Sequence, residues 1–304
     1  MSVRSLRKVY GETVAVRDVS FEVGRGEVFA LLGPNGSGKT STLESLEGLR
    51  RPDGGSLSID GIDPVHQSRK LRNLIGVQLQ ASALPPAMTV DESMRFFCTY
   101  HGVPIRDDLI ERLGLSEKRR TAYGQLSAGQ QRRLALAVAV AHEPAVVFLD
   151  EPTAGLDVQS RLALHGLVGE LKARGATVVL ATHDMAEAEK LADRAAILLR
   201  GRIAAVGSPR QLTAAGSRKT RISVGTENGR LAACRPEFPG AAFEAVRDGY
   251  ATYLSSSVAA TVAAVLTWIE QEADALVDLR VERPSLEERF LEITTDPGVE
   301  GSAR

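Results

Sequence analysis

Up to about residue 210, short apolar runs alternate with segments of helical period. "VAVRDVSFEV" (14–23) and "EVFALLG" (27–33) are rich in β-branched or aromatic residues and are bounded by glycine, which predicts strands. "KTSTLESLEGLR" (39–50) predicts a helix that closes before the "RPDGG" turn. "SLSIDG" (56–61) and "LIGVQL" (74–79) are again short strands. "TVDESMRFFCTYHG" (89–102) is a helix with a capping box, Thr89 at the cap and Glu92 three residues on. "AVVFLD" (145–150) and "ATVVLAT" (176–182) are unbroken apolar runs, the pattern of parallel strands buried on both faces. "AAILL" (195–199) and "RIAAVG" (202–207) close the region. Strands alternating with helices predict an α/β domain on a mainly parallel sheet.

The small, polar stretch "TAAGSRKT" (213–220) marks a domain boundary, placed between 212 and 213. Beyond it the texture changes. "RISV", "ATYLSS" and "LVDLRVE" predict strands, and "VAATVAAVLTWIEQEA" predicts a helix. "SLEERFLEIT" opens on a second capping box, Ser285 with Glu288. The expectation is an α/β domain over 1–212 and a small α+β domain over 213–304. No long repeat or coiled-coil heptad run interrupts either.

A chain of 304 residues, 43% hydrophobic and 25% charged, has the make-up of an ordinary globular protein, which excludes long disorder. The net charge of −1 carries no basic footprint for nucleic acid. Two cysteines, Cys98 and Cys234, lie far apart, which fits a reducing compartment without disulfide or zinc site. The first residues lack the pattern of a cleavable leader. The longest uncharged apolar run, 258–269, is too short for a bilayer, which needs about 20 residues. The chain is therefore expected to stay out of the membrane by itself, while remaining free to dock on a protein that spans it.

"GPNGSGKT" (33–40) has the spacing of a phosphate loop, with a strand before it and a helix after it. Its glycines let backbone N–H groups turn inward around phosphate oxygens, and the helix N-terminus adds positive potential. Lys39 is placed to reach the β- and γ-phosphates, and Thr40 to ligate Mg2+. A glycine-rich turn with an exposed lysine is the plain alternative, and eight matching residues in context stand against it.

Asp150 and Glu151 end a buried strand, where ligands bind in open α/β sheets. Asp150 suits Mg2+, and Glu151 suits the attacking water; a solvated acidic strand end is the alternative. His183 also ends an apolar strand and can sense a γ-phosphate, although a lone histidine is commonly a surface group. Gln80 follows a strand and precedes a loop stiffened by Pro85 and Pro86, so it can reach the metal or the water; Gln78 competes for that role. Tyr10 can stack on a base, or belong to the core. "LSAGQ" places Ser127 and Gly129 at a helix start, a second anion site by the same physics or an ordinary N-cap.

In this order, Tyr10, "GPNGSGKT", Gln80, "LSAGQ", "VVFLDEP", "AGLD" and His183 resemble the nucleotide-binding subunit of ABC transporters, over about residues 1 to 210. They match its A-loop, Walker A, Q-loop, signature, Walker B, D-loop and H-loop. The resemblance implies a P-loop NTPase cassette with a mixed-sheet core and a helical signature subdomain. It implies ATP and Mg2+, with nucleotide contacts from Tyr10, Gly33, Pro34, Asn35, Gly36, Ser37, Gly38, Lys39, Thr40 and Ser41. Glu151, His183 and Gln80 would be catalytic, and Thr40, Gln80 and Asp150 would hold the metal.

In that family two subunits pair head to tail. Ser127, Ala128, Gly129 and Gln130 would then face the nucleotide of the other subunit, and Asp157 would link the two sites. A single set of motifs implies a homodimer or pairing with a similar subunit. "PTAGLDVQSR" and "PSLEERFLEIT" resemble the drug-resistance branch, whose multi-span permeases are of the ABC-2 type. Efflux of a drug, antibiotic or other hydrophobic compound follows, with the subunit peripheral on the cytoplasmic face of the membrane. Ala128 departs from the glycine common in the signature; its methyl is tolerable at negative φ and not easily at positive φ. The competing class is a soluble ABC-type ATPase acting on ribosomes or DNA. It is disfavoured by the single cassette, the missing coiled-coil insertion and the net charge of −1.

Overall fold

Strands β1 (Ser2–Tyr10) and β2 (Thr13–Glu22) form an antiparallel hairpin in the structure, a computed structural model that describes residues 1–80, 84–216 and 219–295. There follow β3 (Val28–Leu32), α1 (Lys39–Leu46), β4 (Gly54–Ser58), α2 (Ser68–Leu74) and β5 (Ile75–Gln78). A helical stretch comes next, with α3 (Val90–His101), α4 (Asp107–Arg112) and α5 (Ala128–Val140). The chain then alternates through β6 (Val146–Asp150), α6 (Val158–Ala173), β7 (Thr177–Thr182), α7 (Met185–Leu191), β8 (Arg194–Leu199) and β9 (Arg202–Gly207). After α8 (Pro209–Ala214) come β10 (Thr220–Thr226), α9 (Arg230–Cys234), β11 (Ala241–Arg247), β12 (Tyr250–Ser255), α10 (Val258–Gln271), β13 (Leu276–Glu282) and α11 (Leu286–Thr295).

The chain divides into two compact units, Met1–Pro209 and Arg210–Arg304. The division falls three residues before the 212/213 position read from the sequence, and residues 217–218 of the polar stretch lie outside the described residues.

The first unit holds a nine-stranded sheet in the order β4-β1-β2-β9-β8-β3-β7-β6-β5. Its centre, β8-β3-β7-β6-β5, is parallel, whereas β1 pairs antiparallel with both β2 and β4, as β9 does with β8. Every residue of β3, β6 and β7 is buried, because helices cover both faces of this part of the sheet. Phe29, Leu31, Phe148 and Val179 join Leu43 and Leu46 of α1 in one core. Val147, Leu149, Val178 and Leu180 face the other way, onto Leu134 of α5 and Leu164 and Val168 of α6. That second core runs on through Val90, Met94 and Cys98 of α3 and Leu109 and Ile110 of α4, which makes the helical part a continuation of the sheet's packing.

Sheet order decides where chemistry can occur. In the sequence β3, β6 and β7 are widely separated; in the sheet they are neighbours, with Leu32 beside Thr182 and Asp150 beside Ala181. The residues that follow their carboxyl ends therefore meet.

The second unit is a four-stranded antiparallel sheet in the order β11-β12-β10-β13. With α9 after β10 and α10 after β12, the connectivity is the βαββαβ of the ferredoxin-like arrangement. Ile222, Val224, Ala251 and Tyr253 pack on Leu231 of α9 and on Val265 and Ile269 of α10. Ser285 and Glu288 cap α11 reciprocally, at 3.1 Å in each direction. Among the described residues no helix is long and apolar enough to cross a membrane.

Candidate functional site

The loop at 33–40 turns from β3 into α1 with Gly38 as the helix N-cap, at φ +103°. A side chain there would be strained, and its Cβ would lie 2.5 Å from the Ala15 carbonyl oxygen of β2. Glycine thus lets the loop lie flush against the hairpin. Pro34, Asn35 and Gly36 form the exposed crown of the loop, Ser37 is buried beneath them, and Ser41 lies in the first turn of α1.

Lys39 does not project outward. Its Nζ donates to the carbonyl oxygens of Gly33 at 2.7 Å and Pro34 at 3.3 Å and stands 3.7 Å from Glu151 Oε1. Burial lowers its pKa from the ordinary lysine value, while Glu151 and Asp150 pull the other way. A lysine held this way is a cation tethered to its own loop.

The two carboxylates diverge. Asp150, the last residue of β6, is buried, and its Oδ1 has no partner. Burial raises its pKa, opposed by a hydrogen bond with Thr40. Among the described residues, no cluster of three or more His, Cys, Asp or Glu side chains could hold a metal alone. An orphaned buried carboxylate oxygen beside a hydroxyl nonetheless fits a hard divalent cation that draws its remaining ligands from phosphates and water.

Glu151 stands one residue further, at φ +49°, a conformation that L-residues avoid. Its N–H donates to the Ala181 carbonyl oxygen at 2.8 Å, and its own carbonyl accepts from the Arg132 guanidinium of α5. These bonds hold a backbone that costs on the order of 1–3 kcal/mol. The outcome is a buried carboxylate with Oε2 2.8 Å from His183 Nδ1 and Oε1 facing Lys39. His183 follows β7 directly and is exposed. The helix after it is tied back to the Glu151 segment, because Thr153 donates to buried Glu187 at 3.0 Å. Burial pushes the Glu187 pKa up to about 7.

Thus the structure brings residues 33–40, Asp150, Glu151 and His183 together. Two contributors to this cluster, Arg132 and Glu187, carry no pattern that sequence reasoning could recognise. Gln78 ends β5, buried with Oε1 unpartnered, whereas Gln80 lies two residues on and is exposed. Residues 81–83 of the loop after Gln80 lie outside the described residues. Tyr10 ends β1 and is 38% exposed, with Lys8 Nζ 5.3 Å and Arg50 Cζ 5.9 Å from its ring centroid.

Among the described residues no hydrogen bond or ion pair joins 127–130 of the signature to 33–40. Ser127 caps α5, accepting from the Gln130 N–H at 3.3 Å, while its own N–H donates to Gln130 Oε1 at 2.9 Å. Ala128 is the first helical residue and does not have positive φ, so its methyl fits. Gly129 needs no special conformation either; a Cβ there would meet only Leu156 Cδ2 at 3.6 Å and the Gly155 carbonyl oxygen at 3.8 Å. Asp157 is exposed and caps α6 through the Ser160 N–H at 2.7 Å, the bond that chiefly lowers its pKa.

The sequence model of a family described as ABC transporter matches residues 16–154. A Nod factor export ATP-binding protein I of Burkholderia orbicola (strain AU 1054) is 41% identical over 215 residues, covering 69% of this chain and 71% of that one. A fluoroquinolones export ATP-binding protein of Mycobacterium tuberculosis (strain CDC 1551 / Oshkosh) is 39% identical over 220 residues, covering 71% and 73%. Among solved structures, an ATP-binding subunit of an ABC transporter superposes with a TM-score of 0.66 at 29% identity, covering 70% of this chain and 91% of that chain. A dimeric bacterial ABC transporter cassette gives 0.62 at 27% identity, covering 68% and 97%. With phosphate loop, carboxylate pair and histidine at adjoining strand ends, and with these relatives over more than two-thirds of its length, the chain belongs to the ABC transporter family as an ATP-binding subunit.

Proposed function

We propose that two copies of this chain bind two ATP head to tail and drive an ABC-2-type permease that exports a drug, antibiotic or other hydrophobic compound. The observation that carries the ATPase chemistry is Glu151, pinned in a left-handed backbone between Lys39 and His183. Glu151 orients and deprotonates the attacking water, and His183 positions the γ-phosphate side of the site. Lys39 exchanges its loop carbonyl partners for phosphate oxygens, and the amides of residues 33–40 cradle the rest. Thr40 and Asp150, with Gln80, would hold Mg2+, which when bound would offset charge on the phosphates. Tyr10 stacks on the base.

The second copy supplies the signature. Ser127, Ala128 and the Gly129 segment are presented at the N-terminal end of α5, with Ser127 and Ala128 exposed. Asp157, beside that end through Gly155 and Leu156, links the two sites. Permease contact is supported by Phe96 and Tyr100, one helical turn apart and exposed on α3, and by exposed Leu79 next to Gln80. The named substrates of the two relatives, a Nod factor and fluoroquinolones, support export as the direction. Attachment to a permease places the chain on the cytoplasmic face of the membrane.

Glu151→Gln tests the reading by size-exclusion chromatography and phosphate release. The variant should bind ATP, fail to hydrolyse it and accumulate as an ATP-dependent dimer. Wild-type turnover in that variant would remove Glu151 from the mechanism, and a monomer at saturating ATP would remove the head-to-tail pairing.

A further inference from the structure

The second unit has two edge strands, and they differ. β11 is broken at its middle by a bulge between Phe243 and Ala245, a device that spoils an edge for further pairing. β13 has its irregularity at its start, where Val277 is skipped between Asp278 opposite Gly225 and Leu276 opposite Thr226, and it keeps an unbroken register with β10 over the rest, from Gly225 opposite Asp278 to Arg221 opposite Glu282. Five of its seven residues are exposed, among them Val277 at 66% and Val281 at 44%. An exposed edge strand that is regular over 278–282 is a template for one more strand.

The sequence of β13, Leu-Val-Asp-Leu-Arg-Val-Glu, states which strand fits. Two antiparallel copies must pair residues that share a sheet face, so the two-fold axis passes through a residue. An axis at Asp278 sets Asp278 against itself. An axis at Arg280 sets Arg280 against itself and Asp278 against Glu282. An axis at Val281 sets Arg280 opposite Glu282 twice but overlaps only 280–282 of each strand; an axis at Leu279, the midpoint of β13, sets Asp278 opposite Arg280 twice and Leu279 against Leu279, with the two strands overlapping along their whole length. Like charges directly opposite destabilise a ladder and opposite charges favour it. The charged pair is also prepared for this face: Tyr250 donates to Asp278 at 2.9 Å, Arg280 donates to it at 2.8 Å, and the Arg280 guanidinium lies 4.5 Å from the Tyr250 ring centroid.

We infer that β13 pairs antiparallel with β13 of a second copy about Leu279, joining the two C-terminal units into one eight-stranded sheet. The occupant is the same chain, because the charge pattern complements itself. This contact needs no nucleotide, so it keeps two copies together through the part of the cycle in which the ATP sites are open. It adds to the head-to-tail reading without depending on it.

The test uses the full-length chain, nucleotide-free, in analytical ultracentrifugation. Wild type should dimerise, and Asp278→Arg or Arg280→Asp alone should be monomeric, since each sets two pairs of like charges opposite. An equimolar mixture of the two variants should dimerise again, because every cross-strand pair is then Arg with Asp. Each variant loses its internal Asp278–Arg280 pair, so rescue on mixing reports only the contact between copies. Leu279→Cys in a Cys234→Ser background should form a disulfide-linked dimer, because directly opposed antiparallel residues lie about 4.5–5.5 Å apart at Cα. A monomeric wild type, single variants that dimerise like wild type, or a mixture that stays monomeric would each overturn the inference. Failure of ATP-dependent dimerisation in Glu151→Gln is a separate result and bears only on the nucleotide sandwich.

Discussion

Glu47 should destabilise this protein at neutral pH, and Glu47→Gln should relieve it. The residue is the C-cap of α1, 6% exposed, and neither carboxyl oxygen has a partner. Burial, reinforced by Asp150 and Glu44, pushes its pKa from the ordinary 4.5 up to about 8. The folded state therefore keeps a proton that the unfolded chain releases. Stability falls as pH rises from the unfolded to the folded value, and is level on either side. At 1.36 kcal/mol per pH unit, the penalty is about 1 kcal/mol at about pH 5.5 and about 4 kcal/mol at about pH 8. Glutamine keeps the shape of the protonated acid and cannot ionise. Urea denaturation of nucleotide-free protein should then show the variant's advantage growing by about 3 kcal/mol between those pH values. Glu187, which also titrates near neutrality, is common to both proteins and cancels in the difference. An advantage that stays constant across this range would refute the reasoning.

Gly38→Ala should destabilise the first unit by about 1–3 kcal/mol and abolish ATP binding, because its Cβ meets the Ala15 carbonyl at positive φ; melting curves with a nucleotide titration check both. Ala128→Gly should retain hydrolysis and cost at most about 1 kcal/mol, since the alanine already sits in an ordinary helical conformation. Gly129→Ala should fold as well as wild type, because its own chain leaves room for the methyl, yet lose ATP turnover if a partner's nucleotide approaches there. Unimpaired turnover in Gly129→Ala would argue against that approach.

Features written in contiguous residues were legible before any coordinates. The phosphate loop at 33–40 needs only a strand, glycines and a helix start in succession, all local requirements. The capping boxes at Thr89 with Glu92 and Ser285 with Glu288 are closed within one turn of helix. Buried strands β6 and β7 announced themselves as unbroken apolar runs, since both their faces are covered. By contrast β11, Ala-Ala-Phe-Glu-Ala-Val-Arg at a sheet edge, has neither an unbroken apolar run nor a clean alternation to mark it as a strand.

Distance in space was decided by the order of strands. Glu151 and His183 lie 32 residues apart and meet at 2.8 Å only because β6 and β7 are neighbours. Arg132 supports Glu151 because α5 packs on that side of the sheet, and nothing in "QQRR" marks which arginine does so. The orphaned carboxyl of Glu47 looks in sequence like any helical glutamate; burial makes it a titrating group. Likewise "LVDLRVE" reads only as a strand, and the sheet order of the second unit makes it an edge. Periodicity and short motifs report how each segment is solvated and turned, which is local physics. Which segments touch depends on pairing and packing between parts of the chain distant in sequence, and that is a property of the folded whole.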